Sequence, residues 1–235
     1  MSSVVLAHGA WSASWAWKKM RPLLRAAGHE FFSPTYTGLG DRAHLANRAI
    51  DLTTHIDDVA NVLEFEDLKD VTLLGHSYGG MVATGVADKM ADRIARVVYI
   101  DAFAPKDGQS LFDLLGPRGE AHMRAGADKD GDGWKLPLNP MPPDTAPEDS
   151  AWAVPKRRPQ PIKTFEQKIK LAHTTFPPRH YIYARKNGPG DVFRQFGDRA
   201  KSEPGWKYYE IDASHNPHIT CPDALMKLLT EIMAS

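Results

Sequence analysis

A serine between two glycines, directly after an apolar run, constrains this chain more than any other feature. Residues 71–74 predict a buried strand, and Gly75-His76-Ser77-Tyr78-Gly79 follows it, ahead of a helical pattern. In this strand–turn–helix context the serine occupies a sharp turn that exposes its Oγ, and the glycines let the strand and helix backbones approach. The motif predicts Ser77 as a nucleophile. The alternative is a glycine-rich turn whose serine has no chemical role.

Apolar runs of similar length recur along the chain and alternate with helical patterns. The predicted strands are residues 4–7, 29–35, 71–74, 96–100, 181–184 and 206–211. The predicted helices include residues 15–27, 192–200 and 222–233. This alternation predicts the α/β class, with a mainly parallel sheet, helices on both faces and right-handed crossovers.

Single residues near the predicted helix ends predict where those helices begin and end. Pro22 predicts a kink in the first helix, and Gly28 predicts its C-terminal cap. Thr54 and Asp57 predict a capping box that opens the second helix.

A proline-rich stretch interrupts the alternation. Between residues 105 and 178 the periodicity weakens, and prolines crowd the sequence at Pro137, Pro140, Pro142, Pro143, Pro147, Pro155, Pro159 and Pro161. The 235 residues, 42% of them hydrophobic, suffice to bury one α/β core. We therefore predict a core of residues 1–104 and 179–235, with residues 105–178 as a cap insertion.

The composition excludes several classes of function. Lysine plus arginine and aspartate plus glutamate both number 29, so no overall field attracts nucleic acid or an anionic membrane. Cys221 is the only cysteine, which excludes an internal disulfide and fits a reducing compartment. Residues 4–7 form too short an apolar run for a signal peptide or membrane span. We expect a cytoplasmic protein with a small-molecule partner and no nucleic-acid or membrane partner.

The predicted topology brings together residues that lie far apart in the sequence. In open parallel sheets the ligand binds beyond the carboxyl ends of the strands. His8, Ser77, Asp101, the segment near Asn187, and His215 all follow predicted strands. We expect them to be neighbours in space.

A base must take the proton of Ser77, because a serine hydroxyl is a weak nucleophile on its own. Histidine suits this task near neutral pH. His215, just past the last predicted strand, is the expected base, and His218 is the alternative.

Acyl transfer also needs hydrogen-bond donors for the developing oxyanion. The backbone N–H of Tyr78, directly after the nucleophile, is the first expected donor, and that of Ala10, in the turn after the first strand, is the second. We expect His8, Gly9 and Trp11 around this turn to contact the substrate. The alternative for His8 and Gly9 is a plain turn that ends a strand.

These motifs resemble the α/β-hydrolase superfamily, and within it the group of plant methylesterases, hydroxynitrile lyases and related bacterial esterases, some of which hydrolyse pyrethroids. The resemblance covers most of the chain and rests on VVLAHGAW, PTYTGLGDRAHL, LLGHSYGGMVA, VVYIDAFAPKDGQSL and SHNPHITCPDAL. It implies the α/β-hydrolase fold, a cap over the pocket, and no cofactor. It also implies roles for four residues, Ser77 as nucleophile, His215 as base, and Ala10 and Tyr78 as oxyanion donors.

The acid of the triad is where the chain departs from this group. Members usually carry an aspartate just after the strand that corresponds to residues 181–184, yet Asn187 stands there. Asp101 and Asp191 are the two replacements. We favour Asp101, because some α/β-hydrolases draw their acid from that strand end, whereas Asp191 suits a helix N-terminal cap.

The resulting functional prediction is a serine hydrolase that cleaves a small to medium apolar carboxylic ester through an acyl-enzyme. One alternative is a hydroxynitrile-lyase type of carbon–carbon cleavage, disfavoured because Asn216 stands where such lyases often have lysine. Another is a non-catalytic ligand-binding homologue, which the missing acid would favour. The sequence predicts neither the ester nor the oligomeric state.

Two further charged segments do not predict sites. Residues 128–133 are similar to the start of a calcium loop, but Asn139 replaces the glutamate required at position twelve, so we expect no metal. Lys156-Arg157-Arg158 predicts a solvated face rather than an anion site.

Overall fold

Strands alternate with helices along residues 2–235, the part of the chain that the computed structural model describes. The strands are β1 (Ser3–Ala7), β2 (Glu30–Phe32), β3 (Val71–His76), β4 (Ile94–Ile100), β5 (Lys135–Leu136), β6 (Gln160–Pro161), β7 (Arg179–Ala184) and β8 (Trp206–Ile211). Within these residues, six strands form a sheet in the order β2-β1-β3-β4-β7-β8, and all its pairs are parallel. The predicted fold class is confirmed.

Helices cover both faces of this sheet. They are α1 (Met20–Ala26), α2 (Leu52–Phe65), α3 (Gly79–Lys89), α4 (Leu111–Asp130), α5 (Pro147–Ala153), α6 (Lys163–Glu166), α7 (Arg194–Ser202), α8 (Pro217–Thr220) and α9 (Pro222–Ala234). Successive strand residues point to opposite faces, so Leu73 packs with α2 and α3 while Leu74 packs with α1 and α9. Because both faces are buried, the central strands are apolar without alternation.

The edge strand β2 is shorter than predicted. It covers Glu30–Phe32 instead of residues 29–35 and pairs only with β1, from Ser3↔Glu30 to Val5↔Phe32. The strand ends before Pro34, which has no N–H to donate to a ladder.

The first helical segment differs from the prediction of one kinked helix. A 3-10 helix (Ser14–Trp17) precedes α1, and Pro22 lies in the first turn of α1, where its missing N–H costs nothing. Gly28 follows the helix with φ 80°, and its N–H donates to the Arg25 carbonyl at 2.9 Å, as expected of a C-terminal cap.

The predicted capping box of α2 is wrong by one turn. Asp51 is the N-cap, its Oδ1 accepts from the Thr54 N–H at 2.9 Å, and Thr54 Oγ1 accepts from the Asp51 N–H. Starting the helix here adds a turn in which Leu52 is buried, whereas Asp57 pairs with Lys89 on the surface.

The stretch from residue 105 to residue 178 leaves the sheet after β4 and returns at β7, which are neighbours in the sheet. It contains α4, α5, α6 and the antiparallel pair β5–β6. Its contacts reach the end of β1, because Trp11 Nε1 donates to the Leu136 carbonyl at 3.2 Å and the Trp11 N–H donates to Gln160 Oε1 at 3.1 Å. That this insertion acts as a separate cap stays a prediction.

None of the helices described within residues 2–235 combines the length and the apolar character needed to cross a bilayer.

Candidate active site

Ser77 sits at a strained turn between β3 and α3. Its φ is 56°, in the left-handed region that costs a non-glycine residue about 1 kcal/mol or more. Neighbouring backbone holds this conformation, since the Ser77 carbonyl accepts from the Gly80 and Phe103 N–H groups at 3.0 and 3.1 Å. A Cβ at Gly79 would lie 2.0 Å from the Ala7 carbonyl oxygen, so only glycine lets the turn approach β1 this closely.

Ser77, His215 and Asp101 form a continuous hydrogen-bonded chain. His215 Nε2 lies 2.9 Å from Ser77 Oγ, and His215 Nδ1 lies 2.7 Å from Asp101 Oδ2. Asp101 is 0% exposed and follows β4, whereas His215 lies in the loop between β8 and α8. Because a carboxylate can only accept, Nδ1–H donates to Asp101 and Nε2 is left to accept from the serine hydroxyl.

Asn187 contacts Asp101 and not His215. Its Nδ2 donates to both carboxylate oxygens of Asp101, at 3.1 and 3.0 Å, and the Ala184 N–H donates to Oδ1 at 3.2 Å. The loop after β7 thus supplies donors that orient the carboxylate of the loop after β4. The sequence predicted that the segment near Asn187 lies close to Asp101 and His215, but it did not predict this contact.

Asp191 makes no contact with His215. Its Oδ2 accepts from the Tyr183 hydroxyl at 2.6 Å, and its Oδ1 accepts from the Phe193 N–H at 2.9 Å. The N-cap of α7 is Phe193, without a side-chain cap, so Asp191 holds the turn before the helix instead of capping it as expected. Phe193, which the sequence did not single out, stacks on the His215 ring at 4.6 Å.

The turn after β1 lies directly against Ser77. A Cβ at Gly9 would come within 3.2 Å of Ser77 Cβ, and Gly9, Ala10 and Trp11 all line the cavity above Ser77. The N–H groups of Ala10 and Tyr78 donate to no backbone carbonyl among the residues that the structure describes. Both donors are therefore free for a ligand atom.

His8 does not reach the cavity, in contrast to the expectation that it contacts substrate. Its ring is fully buried, accepts from the Tyr36 N–H at Nε2 (3.2 Å) and donates from Nδ1 to the Gly9 carbonyl at 2.9 Å. Burial lowers the pKa of His8 to about 3, so the ring is neutral near pH 7. It fixes the shape of the turn from behind.

The alternative base, His218, lies in a different environment from His215. Its ring is buried and stacks on Trp17 at 4.7 Å, and burial lowers its pKa to about 3. A ring that resists protonation to this extent is poorly suited to accept the proton of a serine near neutral pH.

Two contacts that the sequence did not predict hold the loop that carries His215. His76 Nε2 donates to the His215 carbonyl at 2.7 Å. From the insertion, Asp144 accepts the Ser214 N–H at 3.0 Å and also the Ser214 hydroxyl. Residues next to the nucleophile and in the insertion thus position the same loop.

A cavity of about 410 Å³ opens above Ser77. Its walls are the turn after β1, the insertion segment 139–143, the loop after β7 and the loop that carries His215. Trp11, Trp15 and Met141 give it apolar surface, which suits a small organic ligand.

The calcium-like segment does not form a loop over its whole length. Asp128 and Asp130 lie within α4, and Asp132 pairs with Lys135 at 2.8 Å. Within residues 2–235, no group of three or more His, Cys, Asp or Glu side chains is arranged to hold a metal ion.

Known proteins match this chain over almost its full length. A model of the Alpha/beta hydrolase family matches residues 4–228. Carbendazim hydrolyzing esterase of Nocardioides sp. (strain SG-4G) is 35% identical, with 99% of this chain and 100% of that protein aligned. An extracellular alpha/beta-hydrolase from a Paenibacillus species superposes with a TM-score of 0.86 at 26% identity, covering 98% of both chains. A methylesterase from Arabidopsis superposes with a TM-score of 0.80 at 25% identity, covering 100% of this chain and 99% of the other.

Proposed function

Because this chain belongs to the alpha/beta hydrolase family, we propose that it cleaves a small to medium apolar carboxylic ester through an acyl-enzyme on Ser77. Ester cleavage itself follows from its relatives, which include an esterase aligned end to end and a methylesterase. The observation that carries the proposed mechanism is the continuous chain from Asp101 through His215 to Ser77, at 2.7 and 2.9 Å.

In the first half of the reaction, Ser77 Oγ attacks the ester carbonyl while His215 Nε2 takes its proton. The carbonyl oxygen becomes an oxyanion, which accepts from the free N–H groups of Ala10 and Tyr78. His215 then gives its proton to the leaving alkoxide, and the alcohol departs. Asp101 keeps its negative charge throughout and stabilises the imidazolium.

In the second half, a water molecule takes the place of the alcohol. His215 removes a proton from this water, whose oxygen attacks the acyl carbon. Collapse of the second oxyanion returns the proton to Ser77 Oγ and releases the acid. The chain's own side chains supply every proton transfer, so no cofactor is invoked.

The direct test is hydrolysis of 4-nitrophenyl butyrate by the purified protein. Ser77→Ala should lower kcat by about a thousandfold or more, because the covalent step is lost. A fluorophosphonate should label the wild type and leave Ser77→Ala unlabelled. Unchanged turnover in the variant would contradict the nucleophile assignment.

A non-catalytic binding role has lost the feature that favoured it. That alternative depended on the absence of an acid after β7, yet Asp101 lies 2.7 Å from His215 Nδ1. Fluorophosphonate labelling distinguishes the two cases, since an unactivated serine would not react.

The ester's identity is best approached through the relatives. Carbendazim is a natural first probe, because the relative that aligns over the whole chain hydrolyses it. A cytoplasmic location, consistent with the single cysteine, remains part of the proposal and is tested by cell fractionation.

A further inference from the structure

The charges that line the cavity above Ser77 have only one sign. Arg157 and Lys186 contribute cationic side chains, and none of the described lining residues is aspartate or glutamate. Lys186 already has a partner, since its Nζ lies 3.0 Å from Asp212 Oδ2 and the side chain is largely exposed. Arg157 is the cation whose charge the cavity leaves unmatched.

Arg157 is half-buried and differs in this from its neighbours Lys156 and Arg158, which are exposed. Its guanidinium donates to the Asn139 backbone oxygen at 2.6 Å and to the Asn139 side-chain oxygen. Both acceptors are neutral, and these two bonds leave three of its five N–H donors unused. Burial lowers the pKa of Arg157, and no carboxylate of the described residues offsets this effect.

A partly buried charge without a counter-ion is stabilised by a ligand that supplies the opposite charge. This cation is also held in place. The Arg158 N–H donates to the Trp11 carbonyl at 3.2 Å, and the Arg157 guanidinium lies 6.0 Å from the centre of the Trp11 ring. Trp11 directly follows Ala10, so Arg157 stands on the oxyanion side of the cavity.

We propose that Arg157 binds a carboxylate carried by the substrate, so that the preferred ester has an apolar body and one anionic group. The planar guanidinium matches a carboxylate through paired N–H···O bonds, and the apolar surface of Trp11, Trp15 and Met141 accommodates the remainder. The inference rests on the proposed esterase function of Ser77.

The test compares anionic and neutral esters in two series. One carries the charge on the acyl side, with the mono-4-nitrophenyl ester of adipic acid against 4-nitrophenyl hexanoate. The other carries it on the alcohol side, with 4-acetoxybenzoate against phenyl acetate. The measured quantity is the ratio of kcat/KM for the anionic ester to that for the neutral one.

In the wild type we expect this ratio to favour the anionic ester in at least one series. Arg157→Gln should lower that ratio by about tenfold or more, because a charge-assisted pair is lost, and Arg157→Lys should retain part of it. Arg158→Gln is the matched control. Its side chain is exposed and donates only to backbone carbonyls, so the ratio should stay that of the wild type.

An equal ratio in the wild type and Arg157→Gln, in both series, would overturn the inference. If Ser77→Ala abolishes hydrolysis of the neutral esters in that case, the proposed function still stands. Conversely, Ser77→Ala turning over these esters as the wild type does would reject the proposed function itself. If Arg157→Gln does not fold, inhibition of the wild type tests the inference instead. A carboxylate site at Arg157 requires hexanoate to inhibit neutral-ester hydrolysis more strongly than hexanamide does. Equal inhibition by the two overturns the inference.

Discussion

The loops after β4 and β7 end neighbouring strands of the same sheet, yet they contribute different chemistry to His215. The loop after β4 carries Asp101, which is fully buried, has φ 43° and contacts the ring. The loop after β7 carries Asn187, which is partly exposed and donates to the Asp101 carboxylate and, at 3.3 Å, to that of Asp191. The negative charge near His215 therefore lies on the loop after β4, and the amide that orients this carboxylate lies on the loop after β7.

This division fits our proposal of Asp101 as the acid, because two neighbouring strands bring their carboxyl ends to the same edge of the sheet. Parallel neighbours bring their carboxyl ends to the same place, and the Asp101 N–H donates to the Ile182 carbonyl of β7 at 2.8 Å. A carboxylate from either loop can therefore come close to His215 Nδ1. At position 187, where the resembling group usually carries an aspartate, this chain has an asparagine that donates to the Asp101 carboxylate.

Removing the negative charge of Asp101 from the loop after β4 should lower turnover more than any other change to these two loops. Asp101→Asn should lower kcat on 4-nitrophenyl butyrate by about a thousandfold to ten-thousandfold, because an amide no longer holds His215 in the required tautomer. Thermal unfolding of the variant checks that the loss is chemical. A kcat within a few-fold of the wild type would show that another group serves as the acid.

Exchanging the two side chains should restore part of that loss. In Asp101→Asn/Asn187→Asp, the carboxylate occupies the loop after β7 and the amide becomes its donor, since the two groups already lie 3.0 Å apart. We expect kcat about tenfold or more above that of Asp101→Asn, as coupling of about 1.4 kcal/mol between touching residues would give. A double variant as inactive as the single one would mean that β7 can no longer present an acid to His215.

Adding a second charge should change the pH dependence more than the maximum rate. Asn187→Asp places a second carboxylate about 3.0 Å from that of Asp101. Its negative charge favours the imidazolium over the neutral His215 ring that must accept the serine proton, so the acid limb of kcat/KM should move up by about one pH unit. Asn187→Ala, which removes the donor without adding charge, is the control and should leave the limb in place. An unmoved limb in Asn187→Asp would show that the side chain at position 187 does not interact with the acid.

Much of the fold could be predicted from the sequence because the central strands are buried on both faces. Their apolar runs predicted β3 and β7 to within two residues, and the partly buried edge strand β8 (Trp206–Ile211) was predicted to the residue. Helix ends were harder to predict, since Asp51 and Thr54 are both good caps and burial of Leu52 decides between them.

The candidate site also contains some residues that the sequence could predict and others that it could not. Ser77 and His215 lie in motifs with a fixed relation to their strands, and the structure brings both together with Asp101. The sequence favoured Asp101 over Asp191 as the acid but could not decide between them, because the choice depends on the left-handed φ of Asp101 and on its contact with β7. The misassignment of His8 to the cavity has a similar cause, since its orientation is fixed by Tyr36 on another loop.

The smallest effect should come from the other aspartate of the loop after β7. Asp191 supports the Tyr183 hydroxyl and the Phe193 N–H, and it reaches the Asn187 amide only at 3.3 Å. Asp191→Asn keeps an acceptor oxygen for one of these donors, so unfolding should cost about 1 kcal/mol less while kcat stays close to the wild-type value. Parallel measurement of melting temperature and turnover separates the two effects. Asp101→Asn and Asp191→Asn make the same chemical change near the ends of neighbouring strands. A larger loss of kcat in Asp191→Asn would therefore assign the acid to the loop after β7 and not to the loop after β4.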